Sequence, residues 1–158
     1  MNRLSGRIIG CALTVQCTLG VGFLEKVYEN ALAHELRKAG LAVSQQHGVA
    51  VRYDGVVVGE YAVDLLVEHA ILVELKAVRA LDEIHRAQCL NYLKATGLRL
   101  CLLINFGLAR LDIKRIVLGL RSTDPICVLC VFCGSIFLPA HARALDWYRS
   151  VRTFQTLT

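Results

Sequence analysis

The chain has 158 residues, of which 55% are hydrophobic and 20% charged, with only 2 Pro. That length suits one domain with a single core, and the composition is too apolar for a chain disordered throughout. Lys and Arg (18) exceed Asp and Glu (13), and the net charge of +5 permits a nucleic-acid partner without requiring one.

Ile8, Ile9, Ala12, Leu13, Val15 and Leu19 recur at helical spacing until Gly20-Val21-Gly22 interrupts them. A second helix is expected from Phe23, Val27, Ala31, Leu32, Leu36 and Ala39, ended by Gly40. The pattern then turns β-branched: Val49–Tyr53, the turn Asp54-Gly55, and Val56-Val57-Val58 form a hairpin signal. Tyr61–Val67 and Ile71–Val78 flank Glu68-His69-Ala70 as a second hairpin. Asp82 offers an N-cap for a helix running to Gly97, and strands are expected at Leu98–Asn105 and Ile113–Leu118. The order helix, helix, three meandering strands, helix, strand, strand describes an α/β domain on a mixed sheet.

Three charges interrupt the apolar strands: Asp64, Glu74 and Lys76. If Glu68-His69-Ala70 is a three-residue loop, Asp64 lies opposite Glu74 and Ala62 opposite Lys76, with the three charges on one face. Two adjacent carboxylates repel unless a cation lies between them. Such oxygen ligands suit Mg²⁺, which takes one or two carboxylates with waters and phosphate oxygens, and the Lys76 ammonium would steer a water or balance charge on phosphate. A structural salt bridge from Lys76 to the two acids explains the same pattern, and both readings stay open here.

Tyr61-Ala62-Val63-Asp64 followed by Glu74-Leu75-Lys76 resembles the D…ExK signature of the PD-(D/E)XK nuclease superfamily. Gly22, Glu25 and Tyr28 resemble the GxxExxY motif of one family within it, and Gln88–Leu93 and Leu103–Gly107 resemble further motifs. The resemblance covers roughly residues 5–120. It implies a restriction-endonuclease-like αβββαβ core, a mixed sheet flanked by helices, preceded by an extra N-terminal helix. It also implies a metal, Mg²⁺ or Mn²⁺, at Asp64, Glu74 and the backbone carbonyl of Leu75. Lys76 would act on the attacking water, Glu25 would complete the catalytic acids, and Tyr28, Gln88 and Tyr92 would bind nucleic acid or support the site. Arg52, Arg79, Arg86 and Lys94 are candidates for holding a phosphate backbone. His85, one turn before Gln88, is a weaker candidate for phosphate contact. One departure concerns Gln16, where a His often stands in that family.

The expected function is metal-dependent hydrolysis of nucleic acid, most readily DNA. The alternative is a non-catalytic nucleic-acid-binding or assembly module on the same fold. Residues 1–120 form the expected nuclease-like domain, and residues 121–158 an apolar extension outside the resemblance. That extension holds Cys127, Cys130 and Cys133, whose bulky apolar spacers and missing second ligand pair favour a buried stretch over a zinc or iron–sulfur site. The odd cysteine count, the lack of a run long enough to span a membrane and the absence of a signal-type N-terminus lead us to expect reduced thiols and a soluble, cytoplasmic protein.

Overall fold

The computed structural model describes residues 2–119; the cysteine triplet and the rest of the expected extension lie outside the described residues. Helices α1 (Asn2–Leu19) and α2 (Glu25–Lys38) precede strands β1 (Val43–Tyr53), β2 (Val56–Val67) and β3 (Ile71–Lys76). Helix α3 (Glu83–Thr96) then leads to β4 (Leu100–Asn105) and β5 (Asp112–Val117). The five strands lie in sequence order in one sheet, antiparallel except for the β3–β4 pair. A parallel pair needs a crossover, and α3 supplies it. The result is a mixed α/β sheet flanked by helices with α1 as the extra N-terminal element.

Local chemistry accounts for the joints. Asp54 and Gly55 both have positive φ, as a two-residue hairpin turn requires. Asp82 accepts from the backbone N–H groups of Ile84 and His85, while His85 Nδ1 accepts from Asp82 N, closing a capping box at the start of α3. His85 is thereby occupied as a capping residue. Gly97, left-handed at φ 71, ends the same helix.

Two cores sandwich the sheet. Ile8, Ala12 and Val15 of α1 and Tyr28, Leu32 and Leu36 of α2 pack with Leu65, Val73, Leu75, Leu102, Ile104 and Phe106. Cys89, Tyr92 and Leu93 of α3 pack with Leu66, Leu72, Cys101 and Leu103 on the other side. The inward stripe of α2 keeps Leu32 and Leu36 but departs from the expected one at its start: Val27, and Phe23 just before the helix, are partly exposed, while Tyr28 and Glu29 are buried. The Tyr28 ring stacks on Phe106 with centroids 4.7 Å apart, so the larger aromatic takes the inner position. The four described cysteines are free thiols, and among the described residues no helix is long and apolar enough to cross a membrane.

Candidate active site

The β2–β3 ladder pairs Val67 with Ile71, Leu66 with Leu72 and Leu65 with Val73, the register expected from a three-residue loop. It then stops, so neither Asp64 and Glu74 nor Ala62 and Lys76 form a backbone pair; on its other edge Ala62 pairs with Gly48 of β1. The cause lies at Asp64 itself. Its Oδ2 accepts a hydrogen bond from Leu75 N at 2.8 Å, occupying a β3 donor that a β2 carbonyl would otherwise take. Opposite it, Gln46 has φ 50, and the β1–β2 register passes from Gln45↔Leu65 to His47↔Val63 around this position. Leu65 packs in the α1/α2 core, yet Val63 and Val49 pack in the α3 core. The strict alternation expected for β2 is therefore broken at Asp64, and its carboxylate is freed to reach β3.

Glu74 and Lys76 follow at alternate positions. Lys76 Nζ lies 2.6 Å from Glu74 Oε1 and 3.8 Å from Glu25 Oε1 at the first turn of α2. Glu25, Asp64, Glu74 and Lys76 thus come together from three elements. Burial, followed by the negative charge of Asp64, pushes the Glu74 carboxyl up from 4.5 to about 7. Burial raises Asp64 and Glu25 as well. On Lys76 burial acts downward, but the hydrogen bond and charge of Glu74, with the charges of Glu25 and Asp64, outweigh it and raise the ammonium. One cation therefore serves three acids.

Glu74 Oε2 is buried and has no hydrogen-bond partner. A carboxylate oxygen left bare beside a second carboxylate suits a cation as its missing partner. Among the described residues no group of three or more His, Cys, Asp or Glu converges as a closed cage. A hard ion that retains waters needs only one or two carboxylates. Asp64 and Glu74 are the residues whose chemistry suits such an ion.

Two contributors escaped the sequence reading. Glu29 is 3% exposed, ion-paired to Lys26 at 2.7 Å, and accepts from Gln45 and Gln46. Gln46 Nε2 in turn donates to both Glu29 Oε2 at 2.8 Å and Asp64 Oδ1 at 3.3 Å, linking α2 to the carboxylate that ends the ladder. The available signal was the spacing of Glu29 three residues before Leu32 and seven before Leu36, which places an acid on the buried stripe.

Asn105 anchors the far end of β3. Its side chain accepts from Val78 N at 3.0 Å and from Gly107 N at 3.0 Å, and donates to Val78 O at 2.9 Å. Phe106 N donates to Lys76 O at 2.7 Å. The Asn105-Phe106-Gly107 motif thus fixes the chain immediately after Lys76.

Tyr28 is fully buried, and its hydroxyl donates to Gly20 O at 2.9 Å while accepting from Phe23 N at 3.3 Å. Of the two roles expected for it, only support of the Gly20–Phe23 loop is compatible with zero exposure. Tyr28→Phe is expected to lower unfolding free energy by about 1 kcal/mol in denaturant melts, with activity per folded molecule unchanged. Loss of activity in fully folded protein would instead give the hydroxyl a direct role. Gln88 Nε2 donates to Tyr92 Oη at 2.6 Å on α3, so these two residues meet as expected. Gln16 is buried and donates to Leu108 O at 2.8 Å, tying α1 to the loop after β4. The four candidate phosphate-binding cations divide: Arg52 and Lys94 line one groove, Arg86 lines a smaller one with Lys114 and Arg115, and Arg79 is exposed after β3.

A family model for the PD-(D/E)XK nuclease superfamily matches residues 2–116. No curated protein matches the chain. Among solved structures, the crystal structure of SSO0001 is similar at 16% identity and a TM-score of 0.48, over 61% of this chain and 50% of that one. The chain thus spans half the length of that protein.

Proposed function

The chain belongs to the PD-(D/E)XK nuclease superfamily, and from that premise we propose that it hydrolyses phosphodiester bonds of nucleic acid, DNA in the first instance, as a Mg²⁺- or Mn²⁺-dependent enzyme. Within the superfamily we place it in the GxxExxY family, on Gly22, Glu25 and Tyr28 at the start of α2. The nuclease-like domain is assigned to residues 1–120, with 121–158 as an extension, and the protein is assigned to the cytoplasm.

The observation that carries the reading is the bare Glu74 Oε2 within a set of three acids that share one ammonium. Asp64, Glu74 and the Leu75 carbonyl would hold the metal. When bound, the ion would polarise the phosphate and acidify a water. Asp64 is presented to it by the Leu75 N–H and by Gln46, which fix its two oxygens. Glu74 must release its proton to serve as a ligand, and a value of about 7 makes that release accessible near neutral pH. Lys76, positively charged and only 13% exposed, is placed to orient the attacking water or to offset charge growing on the phosphate. Glu25, with an oxygen 3.8 Å from the same ammonium, would complete the catalytic acids. Gln88 and Tyr92 would line the substrate side.

Calorimetric titration with Mg²⁺ and Mn²⁺ tests the shared premise. Wild type is expected to bind one of the two ions and Asp64→Asn to bind at least about tenfold more weakly, with affinity falling as pH drops below that of Glu74 release. No binding of either ion, together with no cleavage of any DNA or RNA form, would sink the hydrolytic reading. A gel shift that persists in EDTA without cleavage would leave the binding-module alternative in its place.

A further inference from the structure

Between the β1–β2 hairpin and α3 runs a groove of about 920 Å³. This is near the upper end of the roughly 300–1,000 Å³ typical of small-ligand sites. Arg52 and Lys94 both line it, and no lining residue carries a carboxylate, in contrast to the acidic cluster beside it. Tyr61 enters from β2 and Tyr92 from α3, with ring centroids 6.2 Å apart and planes tilted by 54°. Tyr92 is buried, but Tyr61 remains 56% exposed, an aromatic face open to the groove. Gln88 and Asn91 add amides along the α3 wall. Tyr92, which lines the groove, bonds Gln88 and is near enough to Glu74 to feel its charge, so the groove borders the acidic cluster.

The rest of the lining, Ala50, Val51, Ile84, Ala87 and Ala95, is apolar, and this combination of apolar contact, an open aromatic face, two amides and two cations matches one occupant better than others. A peptide or second copy of an apolar surface would leave Arg52 and Lys94 unmatched, and a small anion would not use the ring. A duplex keeps both faces of each base covered by stacking, so Tyr61 could reach a base only in an unpaired strand. Arg52 is held at the rim by its own turn, donating to Gly55 O at 3.1 Å, which presents its charge without a neutralising partner in that bond.

We propose that this groove is the binding track for a single-stranded segment of nucleic acid, with a base stacked on Tyr61 and its phosphates toward Arg52 and Lys94. The inference deepens the hydrolytic reading by naming the substrate form presented to Asp64, Glu74 and Lys76.

The test is fluorescence anisotropy on the full chain in EDTA, with a labelled oligothymidylate, a duplex of equal length and an abasic oligomer of equal length. Single strand is expected to bind about tenfold or more tightly than duplex. Tyr61→Ala should weaken oligothymidylate binding by about tenfold, Tyr61→Phe should restore it, and neither should alter the weak binding of the abasic strand. Arg52→Ala should reduce the salt dependence by about one phosphate contact. Equal binding of duplex and single strand, no response to Tyr61→Ala, or no binding of any oligomer would each overturn the assignment. Parallel cleavage assays with Mg²⁺ separate the two readings. Absence of cleavage with single-strand binding intact overturns the hydrolytic reading alone, whereas cleavage with binding indifferent to Tyr61→Ala overturns the groove assignment alone.

Discussion

Glu74→Gln is expected to abolish cleavage while making the metal-free protein more stable above neutral pH. Glu74 is buried beside Asp64, and its carboxyl is raised from 4.5 to about 7. Below the lower value both folded and unfolded chains hold the proton, and the group adds no pH dependence. Between the two values the folded protein keeps a proton that the unfolded chain has released, so stability falls as pH rises across this window. Above about 7 the full cost of a buried, crowded charge is present. An amide of the same shape can still accept from Lys76 but carries no charge. The rise to about 7 is already net of Lys76, and discounted for incomplete burial it corresponds to a stabilisation of about 1–2 kcal/mol. Cleavage, which requires the ionised ligand, should fall by about a thousandfold or more. Denaturant unfolding at several pH values, paired with cleavage assays in Mg²⁺, reads both effects. Asp64 and Glu25 are raised by burial and slope in the same direction, so the variant should flatten the wild-type curve without levelling it. Activity within tenfold of wild type would remove Glu74 from the metal site. A less stable variant would show that the Lys76 bridge outweighs the repulsion.

Gly107→Ala is expected to cost about 3 kcal/mol or more and to take activity with it. A Cβ at Gly107 would lie closer than 3.0 Å to the O, N and C atoms of Val78. These are backbone atoms, and Asn105 already fixes both the N–H and the C=O of that residue. The loop cannot yield without breaking those bonds and drawing on Lys76, whose carbonyl is held by Phe106 N. Gly48→Ala is the control: nothing lies within 4 Å of its Cβ position, and its effect should stay within about 0.5 kcal/mol. Circular-dichroism melts distinguish the two. A Gly107→Ala protein that melts with wild type would mean that the loop after β3 moves more freely than its hydrogen bonds suggest.

The sequence made the frame of the site visible because its signals are local. Asp54-Gly55 marks a turn, the three residues between Val67 and Ile71 set a register, and charges within apolar runs identify Asp64, Glu74 and Lys76. What stayed hidden depends on contacts between distant elements. Gln46 gives no sign of a positive φ, because non-glycine residues adopt that conformation only where surrounding contacts hold them there. Without it, uninterrupted alternation and a full ladder to Glu74 are the natural expectation. Glu29 stands at stripe spacing from Leu32 and Leu36, but nothing local foretells the bonds from Gln45 and Gln46 that satisfy it. Tyr28 continues the stripe of Leu32 and Leu36 at intervals of four, whereas its stacking on Phe106, far along the chain, is encoded by no helical period. The position of Gln16 could be read only as a departure from a pattern; its bond to Leu108 O belongs to the packing of α1 on a loop ninety residues away.

The hold of Asn105 on Val78, across a separation of 27 residues, has a bearing on how the molecule comes into being. The β2–β3 hairpin can form early, since its partners are close in sequence, but the β3–β4 pair must wait for α3 to form and cross over. Until then the segment after Lys76 has nothing to grip, and the acids sit on an open, hydrated hairpin where ordinary carboxylate behaviour is expected. The burial that raises Glu74 would then arrive only with β4 and α3. A nascent chain that ends before Asn105 would carry every proposed metal ligand without the packing that buries Glu74, so the proposed hydrolytic competence would coincide with completion of the sheet.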